Sequence, residues 1–444
     1  MSIFMAYDVR GVYPSQLDEN LMRKIGNATA QYLGADRILV SRDMRVSGES
    51  LARAFIDGAT DAGADCVDAG LLSTPGNYFA VANYGFGGGA MITASHNPKQ
   101  YNGVKVSREK AIPVGLESGL DRIEEMVAAG NYKTARARGK VSAISVVDDL
   151  IEHVLKAAGD IKPLKVVIDA GNGMAGLTLP GVLARLPIKT TRLYFELDGN
   201  FPHHEANPLK PENVRDLQKA VRETGADLGV AFDGDADRCS FVDEKGEAIP
   251  CDFVTAIIAK DILKREPGAI ILYDCRSSRA VREDIEAAGG RAFPERVGHA
   301  FMKATLRRED GAFAGELSGH YYFRENFYCD SAEIAFIRML NVLSAARSPL
   351  SELVRPLRRY ASTGEVNFHV QEKDAKIDQL ASAFADAKVS HLDGITVEYP
   401  DWWFNVRKSN TEPLLRLVLE ANTAELRDRS FKRLESIIGE REKG

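Results

Sequence analysis

Short, continuously apolar runs alternate with amphipathic segments along most of the chain. Residues 38–40, 166–168 and 269–273 are runs of the first kind, and residues 17–33 and 47–62 carry apolar side chains at helical spacing. An apolar run bounded by polar turns is typical of a strand buried on both faces, and the segments between such runs are typical of covering helices. The alternation therefore predicts an α/β protein whose sheets are mostly parallel.

This order of strands and helices occurs three times. Each of these three occurrences, called a pass below, ends in an apolar strand that leads into a polar motif. The last strands of the three passes are residues 87–92, 226–232 and 311–314, and the first, second and third motifs that follow them are residues 93–98, 233–238 and 315–320. In open α/β sheets, ligand-binding residues collect at the carboxyl ends of the strands. The pattern therefore predicts three related mixed α/β domains, each of which supplies one motif to a common ligand.

The last part of the chain has a different pattern. After Gly364, short strands such as residues 394–399 and 402–407 are separated by turns, and helices are predicted over residues 376–387 and from residue 423 onward. This pattern predicts a smaller α+β domain with an antiparallel sheet. Residues 133–139 are a candidate linker, residues 243–247 a predicted hairpin turn and residues 362–364 a further junction. The predicted domains are residues 1–141, 142–247, 248–361 and 362–444.

Composition limits the classes of function. The 444 residues, of which 45% are hydrophobic and 27% charged, are typical of a globular protein with several domains. A formal net charge of -6 argues against a general nucleic-acid binder, which needs a basic face. The five cysteines show no CxxC spacing, no apolar stretch reaches membrane-spanning length, and the N-terminus lacks a signal-peptide pattern. We therefore predict a cytoplasmic protein with reduced cysteines that binds neither nucleic acid nor membranes.

Ser95 lies in a short polar turn directly after a buried strand. Pro98 prevents a regular strand from continuing and biases Asn97 toward an extended conformation, so we expect the turn to have a defined shape. A serine hydroxyl presented in this way, with His96 beside it, can be esterified and can carry a group. An ordinary turn capped by serine and asparagine is the alternative interpretation.

Three aspartates alternate with small residues in the second motif. In extended geometry the carboxylates of Asp233, Asp235 and Asp237 lie on one side, and their mutual repulsion is relieved if a cation lies among them. Oxygen ligands favour a hard ion, so Mg²⁺ is the expected metal. An EF-hand would place Glu244 at its twelfth position, but Arg238 stands where that loop needs glycine. A solvated acidic turn is the other alternative.

Two further polar segments and one histidine are candidates for binding a sugar phosphate. Glu316 and Ser318 flank Leu317 and face the same way at a strand end, which suits neighbouring hydroxyl groups of a sugar. His299 can carry a proton. Donors in the last domain predict a nest for an anion, and these donors are Arg407, Ser409, Asn410 and Thr411. The structural alternatives are a turn with a surface glutamate, a structural histidine and a solvated basic loop.

These motifs occur together in a known order. Residues 93–98, 101–105, 233–238, 315–320 and 407–416 follow one another as they do in the α-D-phosphohexomutase superfamily, and residues 7–11 agree as well. Over essentially its whole length the chain resembles the bacterial phosphomannomutase/phosphoglucomutase branch of that superfamily. Each motif is weak alone, but several independent motifs in the right order argue against a chance match.

The resemblance implies a heart-shaped arrangement of four domains, the last of which is of the TATA-box-binding-protein-like type. It implies that Ser95 is a phosphoserine in the active enzyme and that one Mg²⁺ is held by Ser95, Asp233, Asp235 and Asp237. The phosphoserine would phosphorylate a hexose 1- or 6-phosphate, and the hexose 1,6-bisphosphate so formed, an intermediate and activator, would return its other phosphoryl group to the serine. The resemblance assigns Ser95, His96, Arg10, Lys105, Arg238 and His299 to catalysis. It assigns to the substrate Tyr7, Arg276, Glu316, Ser318, His320, Arg407, Ser409, Asn410, Thr411 and Arg416.

Several alternatives stay open. Arg276 stands where relatives commonly carry a lysine, and a planar guanidinium is not equivalent to a point charge, so its role is open. Leu317 in the third motif favours mannose or glucose as the sugar, with phosphoglucosamine mutase as the alternative activity. A Mg²⁺-dependent phosphatase and a non-catalytic sugar-phosphate-binding protein are the alternatives from other classes. The expected assembly is a monomer or a weak homodimer that binds a small hexose phosphate.

Overall fold

The computed structural model describes residues 2–409, 414–439 and 441–442, and its strands form four sheets in chain order. Each sheet and its helices form one domain, and we number these domains I to IV. The first three have mixed sheets and the fourth is a smaller antiparallel domain, as predicted from the sequence. In the described part of the chain, no helix is both long and apolar enough to span a bilayer.

Domain I contains a six-stranded sheet with four helices. Its elements are β1 (Val9–Val12), α1 (Glu19–Leu33), β2 (Arg37–Arg42), α2 (Gly48–Asp61), β3 (Asp65–Leu71), α3 (Thr74–Asn83), β4 (Gly88–Ile92), β5 (Tyr101–Arg108), α4 (Leu120–Ala128) and β6 (Val141–Ala143). The strand order is β1-β5-β4-β2-β3-β6, and β5 runs antiparallel to both of its neighbours. The strand predicted before Ser95 is confirmed as β4, which is buried throughout.

Domains II and III have five-stranded sheets. Domain II comprises α5 (Val147–Leu155), β7 (Lys165–Asp169), α6 (Ala175–Leu183), β8 (Lys189–Leu193), α7 (Arg215–Thr224), β9 (Leu228–Phe232), β10 (Cys239–Val242) and β11 (Ala248–Ile249). Domain III comprises α8 (Cys251–Arg265), β12 (Ile270–Asp274), α9 (Arg279–Ala287), β13 (Arg291–Glu295), α10 (His299–Arg308), β14 (Phe313–Gly315), β15 (Tyr321–Phe323), β16 (Cys329–Asp330), α11 (Ala332–Ala345) and α12 (Leu350–Val354). The orders are β11-β10-β9-β7-β8 and β13-β12-β14-β15-β16.

The three mixed domains share one arrangement of strands. Neighbouring parallel strands, four in domain I and three in each of domains II and III, are followed by an antiparallel strand that returns beside the last of them. These return strands are β5 after β4, β10 after β9, and β15 after β14. The three polar motifs occupy the equivalent turns, between the last parallel strand and its return strand. The apolar pattern did not predict β1, β5 or β15. The hairpin turn predicted at residues 243–247 implied β10 and β11 and is confirmed. The motif residues 7–11 lie on and beside β1.

Domain IV is a five-stranded antiparallel sheet with two helices. Its elements are β17 (Ala361–His369), α13 (Lys373–Ala383), β18 (Lys388–Ser390), β19 (Ile395–Glu398), β20 (Trp402–Lys408), β21 (Leu414–Ala421) and α14 (Ala424–Ile438), in the sheet order β17-β21-β20-β19-β18. Both helices pack on the sheet and enclose a core that includes Phe368, Leu380, Phe404 and Leu434.

One apolar cluster joins domains I to III, although domain I also has a separate cluster, whereas the core of domain IV is independent of the other domains. One cluster of buried side chains runs from Phe79 in domain I through Phe232 in domain II to Phe313 in domain III. Domain IV contacts domain III through charged groups, such as Arg282 and Glu398 at 3.2 Å. Because a shared apolar core resists relative motion and a polar interface permits it, we expect domain IV to move relative to the other three.

Candidate active site

Ser95 occupies the turn between β4 and β5 in a strained conformation. Its φ angle is 51°, a left-handed value that few residues other than glycine adopt. The backbone N–H of Ser95 donates to Thr93 Oγ1 at 2.9 Å, and the Thr93 hydroxyl donates to Asp43 Oδ2 at 2.6 Å. These bonds hold the buried Ser95 side chain in one orientation.

Arg45, which the sequence analysis did not identify, fastens the same turn from the end of β2. Its Nε lies 3.3 Å from Asp43 Oδ2, and both side chains are fully buried. A guanidinium suits this position because its donors lie in one rigid plane. The Arg45 guanidinium donates, at 2.6 to 2.9 Å, to four backbone carbonyl oxygens, those of Ser95, Asn97, Pro98 and Tyr101.

We expect Arg45→Leu to destabilise the protein by about 3–5 kcal/mol, because it leaves the Asp43 carboxylate buried without its cation. The matched control is Arg42→Leu, since Arg42 pairs with Glu49 at 3.7 Å on the surface. That change should cost less than about 1 kcal/mol. Thermal melts followed by circular dichroism measure both effects, and equal melting temperatures of the two variants would contradict the role of Arg45.

The three predicted metal ligands form one buried cluster beside Ser95. One carboxylate oxygen of each of Asp233, Asp235 and Asp237 lies within 4.8 Å of the other two, and the Ser95 hydroxyl donates to Asp233 Oδ2 at 3.0 Å. The Oδ1 atoms of Asp235 and Asp237 are buried and have no hydrogen-bond partner among the described residues. Orphaned carboxylate oxygens at this spacing fit a hard cation such as Mg²⁺.

The second motif approaches Ser95 closely because the residues between its aspartates are small. Ala236 has a φ angle of 61°, which curls the loop, and a Cβ atom at Gly234 would lie 2.6 Å from the carbonyl oxygen of Ser95. Burial and the charges of the two neighbouring aspartates raise the pKa of Asp233 well above its ordinary value. A cation in the cluster would remove the repulsion that contributes to this shift.

The EF-hand alternative is wrong. The second motif joins the antiparallel strands β9 and β10, whereas an EF-hand loop joins two helices. Glu244, the residue at the twelfth position, lies away from the cluster and accepts a hydrogen bond from the backbone N–H of Ser351 at 3.1 Å. The aspartates therefore belong to a turn between strands.

Cationic side chains from domain I line the cluster. Lys105 on β5 donates to Asp235 Oδ2 at 2.7 Å and to Asp237 Oδ2 at 2.6 Å. Arg10 on β1 donates to the side-chain oxygen of Asn97 at 2.6 Å, which places its guanidinium over the serine turn. The return strand β5 and the edge strand β1 thus supply the positive charge that an anionic group on the serine would need.

Two further residues predicted for catalysis complete the surroundings of the serine. His96 Nδ1 lies 3.2 Å from Ser95 Oγ, and Arg238 Nε lies 3.8 Å from Asp233 Oδ2. Burial, followed by the positive charges of Arg238 and Arg10, lowers the pKa of His96 well below its ordinary value. We therefore expect the His96 ring to be neutral at physiological pH.

His320 links the third motif to the second. Its Nδ1 lies 2.8 Å from Ser318 Oγ, and its Nε2 accepts a hydrogen bond from Arg238 Nε at 3.1 Å. The backbones of Arg238 and His320 also pair across an isolated antiparallel bridge. Domains II and III are therefore joined directly at the site.

Glu316 and His299 lie on the domain III side of the same cleft. Glu316 Oε1 accepts a hydrogen bond from the backbone N–H of Gly298 at 3.0 Å. His299 begins α10, and within the described part of the chain its buried Nδ1 has no hydrogen-bond partner. The His299 ring lies 5.0 Å from the Tyr7 ring of domain I and 6.1 Å from the His320 ring, measured between centroids.

In domain IV, Arg407 lies near the end of β20 and Arg416 on β21, as the predicted strands indicated. They are cross-strand neighbours on β20 and β21, and both approach Glu365. Arg407 NH2 lies 3.5 Å from Glu365 Oε2, and Arg416 NH1 donates to Glu365 Oε1 at 2.9 Å. Arg276 of domain III donates to Glu365 Oε2 at 3.1 Å. One carboxylate is thus contacted by three arginines from two domains.

Asp274 connects these arginines to the third motif. Its two carboxylate oxygens accept from Arg276 Nε at 3.1 Å and from Arg276 NH2 at 2.8 Å, and Oδ2 also accepts from the backbone N–H of Leu317 at 2.8 Å. Ser409 follows β20, and its backbone N–H donates to the carbonyl oxygen of Leu414 at 2.9 Å. Two of the predicted anion donors, Asn410 and Thr411, lie outside the described residues.

The first three motifs are therefore in direct contact, and the arginines of domain IV join them through Arg276 and Asp274. Thr74, at the start of α3, donates to Asp235 Oδ2 at 2.6 Å. Sequence reasoning missed several members of this network, namely Asp43, Arg45, Thr74, Asp274 and Glu365. Their position in the sequence could have identified most of them, because they lie at or just beyond the carboxyl end of a parallel strand.

Comparison with known proteins agrees with this geometry. The chain matches the phosphoglucomutase/phosphomannomutase alpha/beta/alpha domain I over residues 1–134, domain II over 147–246, domain III over 250–360, and the C-terminal domain over 365–435. A phosphomannomutase of Salmonella typhimurium is 38% identical over 433 residues, which cover 95% of each chain. Phosphohexose mutases of Xanthomonas campestris are 38% identical over 424 residues, which cover 94% of each chain. The crystal structure of a phosphoglucomutase/phosphomannomutase family protein from Burkholderia thailandensis is 33% identical, with a TM-score of 0.91 and coverage of 99% of this chain and 98% of that one.

Four domains around a buried serine, an acidic cluster and a set of cations define a mutase, an enzyme that transfers phosphoryl groups. More particularly, the chain belongs to the phosphoglucomutase/phosphomannomutase family of the α-D-phosphohexomutase superfamily. Its relatives support a role as a phosphohexomutase of carbohydrate metabolism.

Proposed function

We propose that this enzyme interconverts hexose 1-phosphates and hexose 6-phosphates, with mannose and/or glucose as the sugar, through a phosphoserine at Ser95. The observation that carries the proposal is the contact of the Ser95 hydroxyl with the buried aspartate cluster, 3.0 Å from Oγ to Asp233 Oδ2. Phosphoryl transfer depends mainly on positioning and on neutralising the charge of the transferred group. A fixed hydroxyl between acidic metal ligands and the cations Lys105 and Arg10 meets both requirements.

In the proposed cycle, the phosphoryl group of phosphoserine 95 passes to the free hydroxyl of a hexose 1- or 6-phosphate. The bond from phosphorus to Ser95 Oγ breaks as a bond from phosphorus to the sugar oxygen forms, and the proton of the sugar hydroxyl passes to a base in the site. The hexose 1,6-bisphosphate then turns over and gives its other phosphoryl group to Ser95 Oγ. The bond from phosphorus to that second sugar oxygen breaks, and the base returns the proton to this oxygen. When bound, Mg²⁺ would be held by Ser95 and the three aspartates and would supply neutralisation of the phosphoryl oxygens.

The chain's own side chains would divide the remaining work. Lys105, Arg10 and Arg238 would hold the phosphoserine and its charge, with the neutral His96 ring beside it. His299, whose Nδ1 has no hydrogen-bond partner among the described residues, is our proposed base. The groups proposed to bind the sugar hydroxyls are Glu316, Ser318 and His320. Those proposed to bind the remote phosphate, with Arg276 beside them, are Tyr7, Arg407, Ser409, Asn410, Thr411 and Arg416.

The proposed function also includes closure of domain IV, the domain ranges, the cellular location and the assembly. Domain IV would close over the bound substrate and exclude water, because its separate core and polar interface permit movement. The domain ranges predicted from the sequence, residues 1–141, 142–247, 248–361 and 362–444, are part of this proposal. All five cysteines are buried free thiols, which fits the cytoplasm as the proposed location. The proposed assembly is a monomer or a weak homodimer.

Turnover of several substrates tests the proposal. Purified protein with Mg²⁺ and a trace of hexose 1,6-bisphosphate should convert mannose 1-phosphate or glucose 1-phosphate into the 6-phosphate. Release of inorganic phosphate should be slower by about 100-fold or more, because closure keeps water from the phosphoserine. A coupled assay for the 6-phosphate and a colorimetric assay for phosphate measure the two rates.

The same assays separate the alternatives. Equal or better use of glucosamine 1-phosphate would reassign the enzyme as a phosphoglucosamine mutase. Phosphate release as fast as isomerisation would indicate a phosphatase. Binding of all three sugars without any turnover would indicate a binding protein.

A further inference from the structure

Domain IV begins with β17, whose first residue, Ala361, lies shortly before Glu365. Gly364 has a φ angle of 64°, and the pairing of β17 with β21 is irregular between Ser362 and Glu365. An irregular ladder lets a strand change direction locally while the rest of the sheet stays paired. Glu365 therefore lies in the first strand of domain IV, close to the connection from domain III.

Three guanidinium groups surround the Glu365 carboxylate, those of Arg276, Arg407 and Arg416. The side chains of Arg276 and Arg407 are only 8% and 4% exposed, and Arg276 is shared between Glu365 and Asp274. Burial raises the pKa of Glu365, but the charges of Arg276, Arg416 and Arg407 outweigh this effect and leave the pKa below its ordinary value. The carboxylate is thus ionised, and guanidinium groups held side by side around it suit a phosphate dianion.

Arg276 uses both edges of its guanidinium. Nε and NH2 donate to Asp274 within domain III, and NH1 donates to Glu365 in domain IV. A lysine has a single nitrogen on a flexible stem and cannot hold this planar bridge. Because Asp274 also accepts from the Leu317 N–H, direct contacts run from the third motif to the arginines of domain IV.

We infer that Glu365 is a positioning residue that assembles Arg276, Arg407 and Arg416 into one phosphate-binding cluster, and that the Arg276–Glu365 bridge fastens domain IV onto domain III. Glu365 itself touches no substrate. Its carboxylate offsets the mutual repulsion of three guanidinium groups, which would otherwise separate. The inference rests on the proposed function for the identity of the anion, a hexose phosphate.

Steady-state kinetics of full-length variants test the inference. Glu365→Gln keeps the size of the side chain and removes its charge, and Arg276→Lys keeps the charge and removes the bridge. For each we expect KM for the hexose 1-phosphate to rise about tenfold and kcat to change less than about threefold, because binding of the remote phosphate is weakened in ground and transition states alike. The double variant should be no worse than the worse single variant, since both act through one bridge.

Two further variants serve as controls. Arg282→Gln removes another ion pair between domains III and IV, with Glu398, and should leave KM at the wild-type value. Glu365→Asp restores the charge on a shorter side chain and should recover part of the lost affinity. A purely structural role of Glu365 would instead lower the melting temperature and kcat without raising KM, and that result would overturn the inference.

Small-angle scattering separates failure of this inference from failure of the proposed function. Without ligand, Glu365→Gln should have a larger radius of gyration than the wild type, because the bridge to domain III is lost. If the wild type does not convert hexose phosphates, the proposed function fails. Scattering alone then shows whether the Arg276–Glu365 bridge holds domain IV against domain III. Three results would overturn the inference about Glu365. These are equal radii of gyration, an unchanged KM in an active Glu365→Gln variant, and additive effects in the double variant.

Discussion

Ser95→Ala is expected to lower isomerisation by at least ~10⁴-fold, the scale seen when a covalent nucleophile is removed. The alanine lacks the oxygen that would accept the phosphoryl group, and no neighbouring hydroxyl in the first motif can replace it, since Thr93 Oγ1 is held by Asp43. Binding of hexose 1-phosphate should persist, because the third motif and the arginines of domain IV are untouched. Turnover assays and isothermal titration calorimetry measure the two properties.

Ser107→Ala is the matched control for this prediction. Ser107 is also a buried serine of domain I, on β5, and in the described structure its hydroxyl has no hydrogen-bond partner. Its removal should therefore leave activity within about threefold of the wild type. A fully active Ser95→Ala variant would show that the phosphoryl carrier is another residue.

Removal of divalent cations should have the second large effect. Chelation should reduce turnover about a thousandfold or more, because the buried carboxylates would then repel the phosphoryl oxygens and no Lewis acid would neutralise them. Mg²⁺ at 100 times its dissociation constant should also stabilise the folded protein by about 2.7 kcal/mol, since it relieves the repulsion within the aspartate cluster. Thermal melts with and without Mg²⁺ measure this effect independently of activity.

Variants of two aspartates distinguish the cluster from other acidic sites. Asp235→Asn removes one charge of the cluster and should abolish most of the stabilisation by Mg²⁺. Asp216→Asn changes an exposed carboxylate that accepts from the Tyr194 hydroxyl in domain II, and it should respond to Mg²⁺ as the wild type does. Equal stabilisation of both variants would refute the assignment of Asp235 as a ligand.

The parallel strands and the motifs that follow them could be predicted from local pattern. β4, β9 and β14 correspond to the predicted strands 87–92, 226–232 and 311–314, with small differences at their ends. The reason is physical: a strand covered by helices on both faces needs a continuous apolar run, and such runs are visible in the sequence. The close spacing of the three aspartates is likewise a local property, and it predicted their cluster.

The antiparallel return strand β5 could not be predicted in this way. β5 is buried over most of its length, yet it carries Asn102, Lys105 and Ser107. Lys105 tolerates burial only because its ammonium group meets carboxylates of another domain. Without knowledge of those partners, a segment with several polar residues is predicted to be a loop.

By itself, the sequence determined the class of fold, the order of the domains and the chemical groups that each motif supplies, because hydrophobic periodicity reports the burial of each segment separately. Only the tertiary structure decided which charges meet. Lys105 pairs with Asp235 across 130 positions, and Arg276 reaches Glu365 across 89. The role of Arg45 at the serine turn was decided in the same way. Such contacts depend on how separate sheets pack against one another, and no local pattern records that packing.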